Sequence, residues 1–395
     1  MNRLRRIFLN TMQMLLPVKK GIVLFSSFMG MYNDNPKYIC EELHARRPDL
    51  RIVWTVSEKC REALPEYAES VVLGSPEYIK LKCRAQVLVD NHTGIRCVTI
   101  RKKLSPGKRL YCKFLSKKRK KQYSVSTWHG MPLKHICADE PNNDILKICT
   151  SSSYTLAGND FTAGCMQTAL LNTIPVKIYG SPRNDILFRD VDVASLKQKL
   201  HLPEERKVVL FAPTFRDDVI SSGVMQLKEM DFAALFAALQ EKFGGEWCLV
   251  VRVHHRVMLE IDVAALAKEY GGMIIDGNLG DDMAEYLVCT DVLITDYSSS
   301  MFDYMLTGRP CFLYAPDRAH YEGEERGFYM SYDALPFPKA DTAAELVSNI
   351  ASFDNEKYGE GVSRFLEEIG NAEDGHASER VVDDILTFLD TGKKS

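Results

Sequence analysis

No apolar run in this chain of 395 residues approaches the roughly 20 residues that a membrane-spanning helix needs. There is no C-x-x-C pair and no cysteine–histidine spacing of a zinc site. The 11 cysteines are odd in number and scattered singly from Cys40 to Cys311, which argues against a disulfide framework and for buried free thiols in a reducing compartment. The P-loop, the G-x-G-x-x-G fingerprint and the G-x-S-x-G elbow are missing too. The commonest nucleotide hydrolases, dehydrogenases and esterases lose support accordingly. No carboxylate cluster is placed for a metal, since Asp281 and Asp282 read as a helix start. Neither a metal nor another cofactor is expected. The N-terminus is no signal peptide: Asn10, Thr11 and Gln13 break its apolar residues, and no small-residue cleavage site follows. A cytoplasmic protein is expected, or one held peripherally on the cytoplasmic face of the membrane.

What is present suits two globular cores. Hydrophobic residues make up 46% and charged residues 26%, so disorder is excluded. The length favours two domains. The net charge of −3 hides an asymmetry: basic residues crowd the first third, and the acidic excess lies in the second half.

Residues 1–20 hold a short basic amphipathic segment, RLRRIFLNTMQMLL. Leu4, Phe8, Met12 and Leu15 share one helical face, beside Arg3, Arg5 and Arg6. It suits a membrane interface, and equally a helix packed on the protein's own core. Short apolar runs then alternate with helical patterns. Strands are expected at 22–25, 52–55, 87–89, 124–127, 145–149 and 176–179, with helices at 36–46 and 154–171. The pattern restarts with strands at 208–211, 249–253, 273–275, 292–295 and 311–314, and helices at 231–243, 264–270, 301–306 and 342–353. Strand–helix–strand succession means parallel βαβ units. The expected fold is α/β, with two Rossmann-like domains at 21–195 and 196–395.

One insert interrupts the first domain. Residues 101–121, RKKLSPGKRLYCKFLSKKRKK, are about half basic, with Leu110, Tyr111, Phe114 and Leu115 interleaved. A solvated loop is the plain reading. The mixture of charge and apolar side chains also suits an anionic lipid surface or a phosphate-rich polymer. No nucleic-acid recognition fold accompanies it, so nucleic acid is not expected as a partner.

Ligands of open α/β sheets bind beyond the carboxyl ends of the strands. Five polar clusters follow apolar runs there. STWHGMPLKHI (126–136) puts His129 at a loop tip beside Gly130, before Pro132. YGSPRND (179–185) offers Arg183 for a bidentate phosphate contact, while Asn184 or Asp185 also suits a helix cap. LFAPTFRDD (210–218) places Pro213, Thr214 and Arg216 after a buried strand. VVRVHHRV (250–257) sets Arg252 and His254 two apart on one face. Its adjacent His254 and His255 face opposite ways, so they are poorly placed to share a metal ion. DVLITDYSSSMFDYMLTGRP (291–310) ends a strand at Asp296, opens a helix with Ser298, Ser299 and Ser300, and carries Asp303 one turn in. Such a helix start suits an anion, or plain N-capping. EERGFY (324–329) adds Arg326 beside Gly327.

The ordered set WHG-x-PLK, G-x-PRND, APT-x-R, R-x-H and DVLITDYSS-x-x-FDY, then ERGFY and a late DGHASERVV, resembles the CDP-glycerol glycerophosphotransferase family from about residue 20 to about residue 385. This family primes or polymerises wall teichoic acid, and relatives build capsule polymers. The resemblance implies a GT-B-like fold with two Rossmann-like domains facing each other across a cleft, peripheral membrane attachment and no obligatory metal. It implies donor contacts from Gly130, Met131, Pro132, Leu133, Arg183, Pro213, Thr214, Arg252, Val253, Ser298, Ser299 and Asp303, with His129 and His254 near the reacting phosphate. The chain has Met131 where the family usually carries a small hydroxyl residue, His255 where proline is usual, and Ser126 where asparagine is frequent.

The expected reaction transfers glycerol phosphate from CDP-glycerol to a prenyl-diphosphate-linked saccharide or a polyol-phosphate acceptor, releasing CMP. In that reading His129 is the base and His254 serves the leaving phosphate. Arg183, Arg252 and Arg326 supply positive charge. Residues 21–195 form the acceptor side and 196–395 bind the donor. CDP-ribitol is the alternative donor within the family. A sugar-nucleotide GT-B glycosyltransferase and a non-catalytic membrane-associated assembly protein are the rival readings from other classes.

Overall fold

A computed structural model describes residues 3–57, 64–141, 143–214, 223–253, 263–278, 282–318 and 327–394. It divides into two compact units. Unit 1 comprises Met1–His129, Ile136–Asp185 and Asn371–Ser395; unit 2 comprises Gly130–His135 and Ile186–Gly370.

Unit 1 is built on strands β1 (Ile22–Ser26), β2 (Arg51–Val56), β3 (Ala68–Val72), β4 (Val87–Asp90), β6 (Tyr123–Ser126), β8 (Tyr154–Ala157) and β9 (Val176–Ile178). They form one sheet in the order β3-β2-β1-β4-β6-β8-β9, with every pair parallel. The central strands are apolar on both faces, as parallel strands covered by helices must be. Phe25 and Trp54 stack in the core at 5.6 Å between ring centroids.

Unit 2 repeats the scheme with β10 (Lys207–Phe211), β11 (Trp247–Val251), β12 (Ile274–Asp276), β13 (Val292–Thr295), β14 (Cys311–Tyr314) and β15 (Lys339–Ala340). Its order is β12-β11-β10-β13-β14-β15, again parallel throughout. Counted within each unit, the first strand lies inside the sheet, flanked by the second and the fourth. This is the Rossmann order, so the expected α/β class with two Rossmann-like domains stands.

Four details differ from the sequence reading. Residues 154–171 are not one helix: Tyr154–Ala157 is β8, and the helix is Asp160–Ala169. Asn159 breaks the two apart, because its side chain accepts the Thr162 N–H at 2.7 Å as an N-cap. The run 145–149 is a strand, but β7 (Ile145–Cys149) pairs antiparallel with β5 (Val98–Arg101) outside the main sheet. The basic insert is not a bare loop. It holds a helix, Pro106–Leu115, and the Tyr111 hydroxyl donates to the Ile7 carbonyl of the helix Arg3–Leu15 at 3.2 Å.

The fourth difference is the division itself. The last helix, Ala377–Thr391, belongs to unit 1 and not to the second half. It buries Val381, Val382, Ile385 and Phe388 in the same core as Val23, Phe25 and Trp54. Burial of such side chains stabilises by about 1.5–3 kcal/mol each. Asp185 caps this helix, its two carboxylate oxygens accepting the N–H groups of Ala377 at 3.0 Å and Ser378 at 2.8 Å. Gly130–His135 goes the other way, into unit 2.

Candidate active site

In unit 1 the chain reverses the direction of strand addition between β1 and β4. The carboxyl ends of such a strand pair are where ligands of open sheets bind. Ser27 follows β1, while Asp90 ends β4 and Asn91 follows it. Asn91 Nδ2 donates to Ser27 Oγ at 3.0 Å and to Asp34 Oδ2 at 2.6 Å. Asp34 opens the helix Asp34–Arg46 with a left-handed φ of 58°, a conformation that aspartate tolerates better than most residues.

His129 lies just beyond β6 and is exposed. Its Nδ1 is 2.8 Å from the Asn91 carbonyl oxygen. A carbonyl only accepts, so Nδ1 carries the proton and Nε2 is the unprotonated nitrogen of a neutral ring. Nε2 has no hydrogen-bond partner among the described residues. The ring stacks on Trp128 at 4.3 Å and meets the His92 ring edge-on at 5.6 Å. Desolvation by the protein around it lowers the His129 pKa, opposed by the Asn91 hydrogen bond and the Asp34 charge, with Arg183 adding to the lowering. The ring is thus accessible at its surface yet surrounded closely enough to favour the neutral form. His92 is lowered too, first by burial and then by His129.

Arg183 is committed within unit 1. Its Nη1 donates to Asp34 Oδ1 at 2.9 Å and to the His129 carbonyl at 2.7 Å. Its backbone N–H donates to Asn35 Oδ1 at 3.0 Å, and Asn35 Nδ2 donates to the Trp128 carbonyl at 3.0 Å. The guanidinium expected to meet phosphate therefore clamps the backbone that carries His129. Asn184 donates to Glu373 Oε1 at 3.1 Å, and Asp185 caps the last helix rather than the next one. Asp90 is fully enclosed. Burial raises its pKa to about 7, against the lowering effect of the Gly94 and His92 N–H groups.

The WHG-x-PLK run is shared between the units. Gly130 has φ 120°, and the side chains of Met131 and Leu133 are buried. The Leu133 carbonyl accepts the Tyr329 N–H at 2.8 Å, Lys134 bridges to Phe328, and the His135 N–H donates to the Gly327 carbonyl at 3.0 Å. Gly327 has φ 71°, and a Cβ there would lie 3.0 Å from His135 Nδ1.

In unit 2 the same reversal of strand order lies between β10 and β13. Asp296, wholly buried after β13, accepts the Thr214 N–H at 2.8 Å and also the Tyr297 N–H. Pro213 and Thr214 are thereby fixed beside the end of β13. Ser298 Oγ accepts from the Ser300 hydroxyl at 3.0 Å, while Ser299 is the N-cap residue without a capping bond from its side chain. The helix that follows, Ser300–Tyr304, is 5 residues long and runs on into a 3-10 turn at Met305–Thr307. Asp303 is buried in it. Arg252 lies just past β11, donating to the Gly277 carbonyl at 2.6 Å, with its guanidinium 4.8 Å from the Tyr286 ring centroid. The Val253 N–H donates to Asn278 Oδ1 at 3.0 Å. Arg216, His254, His255, Asp281 and Arg326 lie outside the described residues. Among the described residues no group of three His, Cys, Asp or Glu side chains is placed to hold a metal ion.

Asp34, Asn91 and Asp90 were not singled out from the sequence, and Asp296 was read only as a strand end. The sole signal for Asp34 was the polar run Asn33–Asn35 before a helix, which capping alone explains.

The comparisons with known proteins bear on the family and the fold. The chain is 28% identical to a teichoic acid poly(glycerol phosphate) polymerase of Staphylococcus epidermidis over 93% of its own length and 50% of the relative's. It spans about half the length of this polymerase and of its counterpart in Bacillus subtilis. It is 29% identical to a teichoic acid glycerol-phosphate transferase of Staphylococcus aureus, covering 93% of each chain. A histidine variant of the wall teichoic acid polymerase TagF, solved after a soak with CDPG, matches with a TM-score of 0.78 at 27% identity, over 98% of this chain and 94% of that one. The family model described as CDP-glycerol:poly(glycerophosphate) glycerophosphotransferase matches residues 8–387, and with two Rossmann-ordered sheets and the ordered motifs at their strand ends, the chain belongs to that family.

Proposed function

We propose that this chain transfers glycerol phosphate from CDP-glycerol to a hydroxyl of a lipid-linked acceptor, in teichoic acid or related cell-surface polymer synthesis, and releases CMP. The observation that carries this reading, beside membership of the family, is the Nδ1–H···O bond from His129 to Asn91, which leaves Nε2 as a base. The acceptor oxygen attacks the phosphorus that carries glycerol. A new P–O bond forms, the P–O bond to CMP breaks, and the acceptor proton passes to His129 Nε2. Unit 2 is the donor-binding unit in this proposal. Arg252 supplies positive charge to the diphosphate, the 213–214 and 298–299 loops hold it, and Asp303 serves the polyol or ribose. The roles expected for His254 and Arg326 are kept in the proposal. Unit 1 is the acceptor side.

Attachment to an anionic membrane surface belongs to the same proposal. The helix Arg3–Leu15 exposes Leu4, Phe8 and Leu15 (74%, 61% and 67%), and the adjacent helix Pro106–Leu115 exposes Leu110 (71%). Lys102, Lys103, Lys108, Lys113, Lys117, Lys118, Lys120 and Lys121 are all exposed around them. No helix among the described residues is long and apolar enough to cross a membrane. Two segments a hundred residues apart in sequence meet on one unit, and together they offer the apolar anchor and the basic rim of a peripheral protein.

The test is nucleotide release from CDP-glycerol, CDP-ribitol and UDP-sugars, each with a synthetic prenyl-linked disaccharide. CMP from CDP-glycerol, with the acceptor heavier by one glycerol phosphate or several, is the expected result. CMP from CDP-ribitol alone changes the polyol. UDP release without CMP overturns the reaction.

A further inference from the structure

Four residues from separate stretches of unit 1 close a ring, two of its links between side chains and two through the backbone carbonyls of Asn91 and His129. Asp34 Oδ1 accepts from Arg183 Nη1 at 2.9 Å, and Asp34 Oδ2 accepts from Asn91 Nδ2 at 2.6 Å. Arg183 Nη1 also holds the His129 carbonyl at 2.7 Å, and the Asn91 carbonyl holds His129 Nδ1 at 2.8 Å. The two groups that fix His129, one through its backbone and one through its ring, are therefore both held by the same carboxylate. Asp34 and Arg183 leave only 14% and 13% of their side chains accessible. A charge-assisted pair so placed is stronger and better directed than a surface ion pair. Asp34 also sits in the left-handed region, φ 58°, where a side chain is kept only when its surroundings demand it.

We propose that Asp34 is a positioning residue for the transfer, acting through Asn91 and Arg183 to hold the His129 ring with Nε2 as the proton acceptor. This rests on the proposed role of His129 as base. Asp34 touches no reacting atom in this scheme. It sets which nitrogen of His129 carries the proton and where the ring points. Orientation of that kind is worth about 100-fold in rate when it is lost.

Among the described residues, the charged and titratable groups around the ring come from three segments of unit 1. Asp34 comes from the start of the helix Asp34–Arg46, Arg183 from the 181–185 turn, and His92 from the loop after β4, with Asp90 buried behind it. Asp34 raises the His129 pKa, while Arg183 lowers it. Asp34→Asn removes the first effect and leaves the second unbalanced. The variant keeps size and tolerance of positive φ, but its amide has one acceptor oxygen where the carboxylate has two, so either Asn91 Nδ2 or Arg183 Nη1 is left facing a donor.

The experiment combines kinetics with 15N spectra of histidine-labelled protein, the His129 signals being assigned by their loss in His129→Gln. In the native protein the His129 signals should be those of a neutral ring protonated at Nδ1. Asp34→Asn is expected to mix the two tautomers and lower kcat about 100-fold with little change in KM for CDP-glycerol. The acid limb of kcat/KM should move to lower pH. Adding Asn91→Asp to Asp34→Asn reverses donor and acceptor across the same contact, and should restore the single tautomer and part of kcat. If Asp34→Asn fails to fold, Asn91→Ala, which removes the Asn91 Nδ2 bond to Asp34, should mix the tautomers instead. An unchanged tautomer in the folded variant, or native kcat in Asp34→Asn, overturns the proposal. Absence of CMP release by the native protein would sink the proposed reaction, and the spectra would still decide whether Asp34 holds the ring.

Discussion

The Thr214 N–H points at Asp296 Oδ1 from 2.8 Å, tying the loop after β10 to the end of β13. One carboxylate thereby serves the two loops on which the proposed donor site depends. Asp296→Ala would strand the N–H groups of Thr214 and Tyr297. A cost of about 2–3 kcal/mol is expected in urea unfolding, since unmade buried hydrogen bonds forfeit their full desolvation. KM for CDP-glycerol should rise as well. Native KM and native stability together would show that the loops hold without this tie.

Asp90 gives a prediction with a definite sign. Its folded pKa, raised to about 7, lies above the ordinary 3.8. Between these values the folded state holds a proton that the unfolded state has released. Its contribution to stability therefore falls as pH rises from about 4 to about 7, and levels off above. Asp90→Asn removes the penalty. The variant should gain more in melting temperature at pH 8 than at pH 5. An equal change at both pH values would show that Asp90 titrates normally.

His129 predicts the acid limb of turnover. Desolvation holds its pKa below the ordinary 6.5, so the neutral base persists into mildly acid solution. The limb of kcat/KM should have its midpoint under 6.5 in a CMP-release assay run from pH 5 to 8. His129→Gln should lose about 10²–10⁴-fold in kcat, the usual worth of a general base, while still binding CDP-glycerol. Near-native turnover by this variant would remove the base assignment.

The two neighbouring helices on unit 1 predict salt-sensitive binding to lipid. Leu4→Glu with Phe8→Glu should abolish sedimentation with phosphatidylglycerol vesicles. Native binding should weaken between 0.05 and 0.5 M salt, roughly as screening of exposed charges requires. Leaving CMP release from a soluble acceptor analogue intact would separate attachment from catalysis. Vesicle binding unaffected by both substitutions and salt would exclude this surface.

The architecture was legible wherever a strand is apolar on both faces. β1, β4, β10 and β13 were all marked by runs that no exposed element carries, and with them came the α/β class. Where an element is short or half exposed the signal weakened. β3 reads AESVV, with Glu69 and Ser70 exposed at the sheet edge, and alternation over so few residues is lost in noise. β8 merged with the following helix because YTLA is as apolar as a helix core. The site was legible as positions after strands and not as partnerships. Arg183 was legible as a cation after a strand, but its partner Asp34 lies 149 residues earlier, and no local pattern connects them. The return of the last helix to unit 1 was hidden for the same reason.

That return fixes the order in which a nascent chain can mature. Phe388 stacks on Tyr123 at 5.0 Å, and Asp185 waits for the N–H groups of Ala377 and Ser378. About 200 residues separate Asp185 from these contacts, which at about 5–20 residues per second is roughly 10–40 s of synthesis. Throughout that interval unit 1 lacks the helix that seals its core, and it is the strands of unit 2 that are being made. The half made first is finished last, so its open apolar face is where a chaperone has the longest opportunity to bind.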